Sequence, residues 1–420
     1  MHKITVLDNG LRVVTNFMPH TRSVCMAVLV GAGSCYEIER EAGISHFAEH
    51  LFFKGTERRP TAKELSQDIE GIGGTINGGT DRELTVYWCK VAYHHFPTAV
   101  DVLSDLLLHS RFHADDMDQE RQVIMEEIKM NLDLPQQRAG MVLNELLWPE
   151  QPLGREVLGD KETVASIGRG ELVGYVAGRY LPNNAVVSVA GNIAHEDAVA
   201  QVARAFARWS PGELSTTYPS DDSQSSARMR VEARDSEQMH LCLAVHGLSH
   251  LDPQRFTVDL LATVLGGGMS SRLFTEIREK RGLAYDIHCY TDHFVNSGSV
   301  NVYAGVDPEN AETATAAILD QLSAVKRGTT PDELTRAQEL SKGRLYLRLE
   351  NTYNVALWHG TQEVLAGRIL TMDEVISIVD AVTLDDLTEV AERLLTSEQL
   401  NLALVGPVKD GPSADLLHLQ

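Results

Sequence analysis

Cysteine is scarce in this chain of 420 residues, with only Cys25, Cys35, Cys89, Cys242 and Cys289. Five scattered thiols do not make a disulfide framework, and reduced cysteines in a cytoplasm fit better. Long apolar runs are missing too. None approaches the roughly 18 residues of a membrane span, and the amino terminus, MHKITVLDNGLRV, reaches Asp8 before an apolar targeting core has developed. The expectation is a soluble cytoplasmic protein with no membrane partner. Positive charge is also in deficit. With 37 Lys and Arg against 59 Asp and Glu, the formal net charge of −22 argues against a nucleic-acid partner and suits a surface that attracts cations. Nor is there a phosphate loop, because GGGMSSRL at 266–273 has neither GxGxxG spacing nor a P-loop lysine; it reads as a flexible entry to a helix.

What is present first is length and repetition. The chain can hold two substantial domains, each with its own core. VCMAVLVGAG from Val24 resembles HLCLAVHGLS from His240, so Cys25 and Cys242 are 217 residues apart; VAGN and LVGP set Gly191 and Gly406 215 apart. Pro97 and Pro308, each opening a helix, differ by 211, and Glu120 and Glu333, each in the long helix that follows, by 213. Four such close offsets imply two homologous halves. We expect a catalytic half at 1–209, a Ser/Pro/Asp-rich linker at 210–227 and a second half at 228–420.

Local signals mix strands and helices. ITVLDNGLRVVTNF alternates around Asn9-Gly10 and predicts a hairpin, while LTVYWCKVAY and SVNVYAGV predict strands. Thr61 with Glu64 forms a capping box, and Asp307-Pro308 and Thr330-Pro331 open helices. The fold class expected is α+β: in each half a mixed, largely antiparallel sheet with helices packed on one face, the two halves arranged as a clamshell.

The chemistry concentrates in ISHFAEHLFFKGT at 44–56. On a helix His46 and His50 stand one turn apart on one face, the i, i+4 geometry that lets two imidazoles share a metal ion. Glu49 sits at the rim of the same site without being a ligand. HxxEH is the inverted zinc-peptidase motif.

Four further segments follow in order: GGTINGGTDRELTVY, ERQVIMEEI (120–128), LPNNAVVSVAGN and LGGGMSSRLFTEIREKRGLAY. With them the chain resembles the pitrilysin-type metallopeptidases, in particular the mitochondrial-processing-peptidase branch with bacterial members, over nearly its whole length. The resemblance implies a third zinc ligand about 77 residues after the second histidine, and the count lands on Glu127. Glu126 is the rival. Helical periodicity aligns Glu127 with Val123, Ile124 and Glu120, and Glu126 with Gln119, Gln122 and Met130, a more solvated face. Glu127 is therefore taken as ligand, and Glu120, by resemblance, as a carboxylate that orients a ligating histidine.

From the same source come one Zn2+ per chain and Glu49 as the base that deprotonates a zinc-activated water. Asn77 would lie near the scissile bond on an edge strand, although the family's Asn-Ala pair is Asn77-Gly78 here. Arg278 and Tyr285 would hold substrate, although a tyrosine opening a strand, taken alone, reads as core. The function implied is a zinc endopeptidase acting on extended unfolded peptides or presequences, basic ones in particular, in a closed chamber, with the chain pairing as a homodimer. The alternative is a non-catalytic scaffold or partner subunit of the same fold. A zinc hydrolase of non-peptide bonds is a third reading, disfavoured by the edge strand. The second half has no HxxEH at the matching place, and Leu340 stands where a counterpart of Glu127 would be.

Overall fold

Asn9-Gly10 turns the chain as its alternation predicts. Strand β1 (His2–Val6) pairs antiparallel with β2 (Arg12–Phe17), and Gly10 takes a φ of +84°, a turn conformation that only glycine adopts without strain. The structure, a computed structural model, describes residues 2–214, 217–407 and 413–419.

The remaining strands of the first sheet are β3 (Ser23–Val30), β4 (Thr75–Thr80), β5 (Thr85–Ala92) and β6 (Ala185–Gly191). Their order is β1-β2-β6-β3-β5-β4, with β2 and β6 parallel and every other pair antiparallel. The second sheet holds β7 (Arg228–Ala233), β8 (Met239–His246), β9 (Ala284–His293), β10 (Gly298–Val306) and β11 (Asn401–Gly406). Its order is β7-β11-β8-β10-β9, with β7 and β11 the one parallel pair. Without β1, the two sheets are the same sheet twice. The repeat of sequence offsets is a repeat of topology, and the α+β class with two homologous halves is what the chain adopts.

Five helices of the first half bear on the site: α1 (Ile44–Phe52), α2 (Ala62–Glu70), α3 (Phe96–His109), α4 (Ala114–Asp133) and α5 (Pro135–Leu147). Thr61 and Glu64 close the predicted capping box on α2. Pro97 stands in the first turn of α3, where its missing N–H costs nothing.

The compact units are not the contiguous segments 1–209 and 228–420. One unit comprises Met1–Ile128, Glu156–Tyr218 and Tyr346–Thr371, the other Lys129–Arg155, Pro219–Leu345 and Met372–Gln420. Each half lends a helix to the other's sheet. Helix Thr352–Ala366 packs on β3, β6 and β2, while α5 packs on β11, β8 and β7. The physical reason is written in β3, whose VCMAVLV has no polar alternation: Val24 to Val30 are all fully buried, so both faces need cover. Cys25, Ala27 and Leu29 pack with Val355 and Ala356 of the borrowed helix, whereas Val24, Met26 and Val28 point to the opposite face by strand alternation. Helices therefore lie on both faces of this sheet, not on one. Gly360 allows the close approach, because a Cβ there would lie 2.2 Å from Leu29 Cδ1. Arg12 Nη1 donates to the Glu363 carbonyl at 2.9 Å and fixes the register of the borrowed helix. In the other unit Arg138 Nε donates to Glu232 Oε2 at 2.8 Å and ties α5 to β7.

The expected linker at 210–227 includes 215 and 216, which lie outside the described residues. Tyr218 ends in the first unit, buried, with its hydroxyl donating to Glu83 Oε1 at 2.6 Å. Asp222 belongs to the second unit and accepts from Trp148 Nε1 at 3.2 Å and from Ser297 Oγ at 2.7 Å. All five cysteines are free thiols, and all are buried.

Candidate metal centre

Helix α1 buries Ser45 and His46 together with Ile44, Phe47, Ala48, Leu51 and Phe52, the last five being the i, i+3, i+4, i+7, i+8 stripe of a helix with one face on the core. That stripe leaves His46, Glu49 and His50 on the flank. Helix α4 buries Met117, Glu120, Ile124 and Ile128. Glu127 lies at the edge of this stripe, half-buried, and Glu126 is exposed. Val123, which periodicity grouped with Glu127 on an apolar side, is 49 % exposed.

Glu127 Oε2 stands 3.7 Å from His46 Nε2 and 3.7 Å from His50 Nε2. Donor atoms of the three residues all lie within 4.8 Å of one another, and this is the only metal-competent group of three or more His, Cys, Asp or Glu among the described residues. Two ligands at about 2.1 Å from a tetrahedral zinc are separated by about 3.4 Å, so the observed spacing fits such an ion. Burial and the neighbouring His50 push His46 down to about 3, which keeps its imidazole neutral and its nitrogen free to ligate. Burial also works against a charge on His50, but Glu120, Glu49 and Glu127 outweigh it and raise that ring.

Glu120 stands beside His50. Its Oε2 lies 2.9 Å from His50 Nδ1, and its Oε1 is held by Lys54, four residues past His50 in the turn that follows α1. Burial opposes ionisation of Glu120, yet the bonds from His50 and Lys54 win and lower its carboxyl. Glu49 stands apart from the trio, accepting from Thr80 Oγ1 at 3.1 Å. Burial raises its pKa, with Glu127 adding to the rise and His50 and Thr80 opposing it. Lys54 and Thr80 were not singled out by sequence. Lys54 carried a readable signal, being i+4 from His50; Thr80, two residues from Gly78 on the same strand face, carried a weaker one.

Strand β4 is the edge of its sheet and lies against α1. Asn77 is on it, exposed, its Oδ1 accepting from the Gly78 amide at 2.8 Å. A Cβ on Gly78 would come within 2.9 Å of Phe53 Cε2 and 3.0 Å of Glu49 Oε1, so glycine here keeps space around the free carboxylate.

Residues 12–161 match the insulinase family of peptidases, peptidase family M16, and residues 166–341 match the peptidase M16 inactive domain. An uncharacterized zinc protease of Bacillus subtilis, YmxG, is 36 % identical over 414 residues, 98 % of this chain and 100 % of its own length. The chain belongs to peptidase family M16. A second uncharacterized zinc protease, from Streptomyces coelicolor, is 36 % identical over 423 residues, covering 99 % of this chain and 91 % of its own. The solved peptidase M16 inactive domain from Pseudomonas fluorescens shares the fold at a TM-score of 0.91 and 18 % identity, with 98 % of this chain and 100 % of that one covered.

The second half does not repeat the pair of histidines. At the 217-residue offset Thr263 stands for His46 and Gly267 for His50. Thr263 and Leu340 line a cavity of about 220 Å³, and Glu333, the counterpart of Glu120, is occupied by Arg272 through two bonds of 2.6 and 2.8 Å. The other two expected residues of this half are together. Arg278, on the π-helical turn Phe274–Lys280, has its guanidinium 5.1 Å from the Tyr285 ring and 4.8 Å from the Phe274 ring. Tyr285, the second residue of β9, is 74 % exposed, so it is not a core residue.

Proposed function

We propose that this M16 chain is a zinc-dependent endopeptidase that hydrolyses extended, unfolded peptides. The observation that carries the reading is the convergence of His46 Nε2, His50 Nε2 and Glu127 Oε2 at metal-ligand spacing, with the Glu49 carboxylate left outside the trio. Zinc held there would polarise a peptide carbonyl and acidify the attacking water.

The chain's own residues do the rest. Glu49, whose pKa burial raises, takes the proton of the attacking water and returns it to the leaving amine, a task that favours a carboxyl poised above its ordinary range. Thr80 orients that carboxylate. Strand β4 offers an unpaired edge beside α1, to which an extended peptide can add as a further strand, with Asn77 on that edge. The resemblance supplies the finer parts: enclosure of substrate in a chamber, presequences among the substrates, Arg278 and Tyr285 as substrate-holding groups, and a homodimer. The net charge of −22 favours basic peptides. Retention of all four residues of the zinc chemistry argues against a non-catalytic partner subunit.

The test is metal analysis of the purified protein together with peptidase assays on an unfolded basic peptide. About one zinc per chain is expected, with activity lost to a chelator and regained with zinc. Full activity in metal-free protein would overturn the reading.

A further inference from the structure

The two zinc-site histidines are not held alike. A ligating histidine ordinarily hands its second ring nitrogen to a carboxylate or a backbone carbonyl, which fixes the ring. His50 does so, through Nδ1 to Glu120 at 2.9 Å. His46 does not: its Nδ1 is buried without a hydrogen-bond partner among the described residues, although only 7 % of the residue is exposed. Its aim therefore has to come from the backbone that carries it.

That backbone is the first turn of α1, and it has an unusual cap. The N-cap is Gly43, at a φ of +92°, where a Cβ would lie 2.5 Å from the Leu158 carbonyl oxygen. Only glycine fits, so no N-cap side chain is available for the orphan amides of the first turn. Glu37 fills the gap from six residues upstream. Its Oε2 accepts from the Gly43 amide and its Oε1 from the Ser45 amide, each at 2.8 Å, and the residue is 4 % exposed. A buried carboxylate at a helix N-terminus is further favoured by the helix dipole. Ser45, the neighbour of His46, is tied a second time through its Oγ, 2.6 Å from the Tyr175 hydroxyl.

We infer that Glu37 is a positioning residue of the metal site, doing for His46 through the main chain what Glu120 does for His50 through the ring. This rests on the reading of His46, His50 and Glu127 as a zinc site. Glu37 touches neither metal nor substrate; it sets where the His46 nitrogen points.

The test uses the full chain with three variants, Glu37→Gln, Glu37→Ala and Glu363→Ala. Glu363 is a buried carboxylate of the same compact unit, paired with Arg12 at 3.4 Å and remote in sequence from α1, so its loss reports general destabilisation. Zinc affinity is read by chelator competition and ligand geometry by the visible spectrum of the cobalt-substituted protein. Glu37→Ala is expected to weaken zinc binding about 10- to 100-fold and to alter the cobalt spectrum. Glu37→Gln, which keeps one acceptor oxygen, should lose less, and Glu363→Ala should keep wild-type affinity and spectrum whatever it costs in melting temperature. If Glu37→Ala does not fold, Glu37→Gln carries the test alone. Wild-type affinity and spectrum in the Glu37 variants, or an equal loss in Glu363→Ala, would overturn the inference while leaving the zinc site standing. A wild-type protein that takes up no zinc would overturn the site and the inference together.

Discussion

Removing Glu120 separates orientation from simple stability. The residue is 5 % exposed, and its carboxylate has two partners, His50 Nδ1 at 2.9 Å and the Lys54 ammonium. In the metal-free protein Glu120→Ala releases Lys54, but 29 % of that side chain is already exposed and it can turn to water, so the cost should stay within about 1 kcal/mol. With zinc the cost should be larger. Losing the group that orients a ligating histidine weakens a metal site about 10- to 100-fold, or about 1.4 to 2.7 kcal/mol.

Because zinc stabilises only the folded chain, the same free energy disappears from the zinc-dependent part of the stability. At about 2 to 4 °C per kcal/mol, that is about 3 to 11 °C of the zinc-induced rise in melting temperature. Glu120→Gln keeps an oxygen for His50 but not the charge that holds Lys54, and should fall near the lower end. The assays are chelator competition and thermal melts with and without zinc. A Glu120→Ala protein that binds zinc as tightly as the wild type, and melts lower only when metal-free, would show that the carboxylate is structural and refute the orienting role.

Three further predictions follow from separate parts of the molecule. Glu49→Gln should retain zinc, since Glu49 is outside the ligand trio, and lose about 10²- to 10⁴-fold in turnover on an unfolded peptide; a loss below tenfold would place the base elsewhere. Glu333 is pulled from 4.5 to about 2, chiefly by its bonds from Arg272. A depressed carboxyl stabilises the fold above its unfolded pKa and loses that contribution as pH falls from about 4.5 towards 2, so Glu333→Gln should cost about 1 to 2 kcal/mol at pH 6 and converge on the wild type near pH 2 in denaturant titrations. Equal differences at both pH values would sink this account. Gly360→Ala should destabilise by about 1 to 3 kcal/mol in the same titrations, because its Cβ would meet Leu29 Cδ1 at 2.2 Å and Ser188 Cβ at 3.1 Å on the sheet beneath; a neutral result would mean the borrowed helix is loosely seated.

How far the sequence foretold all this depends on the range of each interaction. The hairpin at Asn9-Gly10, the capping box at Thr61 and the prolines at 97 and 331 were legible because turns and caps are decided within four or five residues. The duplication was legible because two copies of one sheet impose one pattern twice. The exchanged helices are not legible in the sequence, although β3 holds a clue: an unbroken apolar run demands cover on both faces. What it cannot name is the cover, since Val355 and Ala356 sit more than 300 residues away and any apolar helix face of similar shape would satisfy Cys25, Ala27 and Leu29.

The candidate site divides along the same line. His46 and His50 announce themselves because a metal accepts few residue types and a helix offers one spacing that serves. Glu127 needed the resemblance, since nothing local connects α1 to a residue 77 positions on, and Val123, offered as its apolar companion, turned out half-exposed. The polar groups that surround the trio are the least legible of all. Thr80 supplies one hydroxyl to Glu49, Lys54 one ammonium to Glu120, and Glu37 two oxygens to a helix start, and many donors or acceptors could meet each requirement from many places in the chain. Ligand identity is fixed by the chemistry of the ion, whereas ligand orientation is fixed by whichever polar group the fold delivers within 3 Å. Sequence patterns therefore mark the first strongly and the second only once the fold is known.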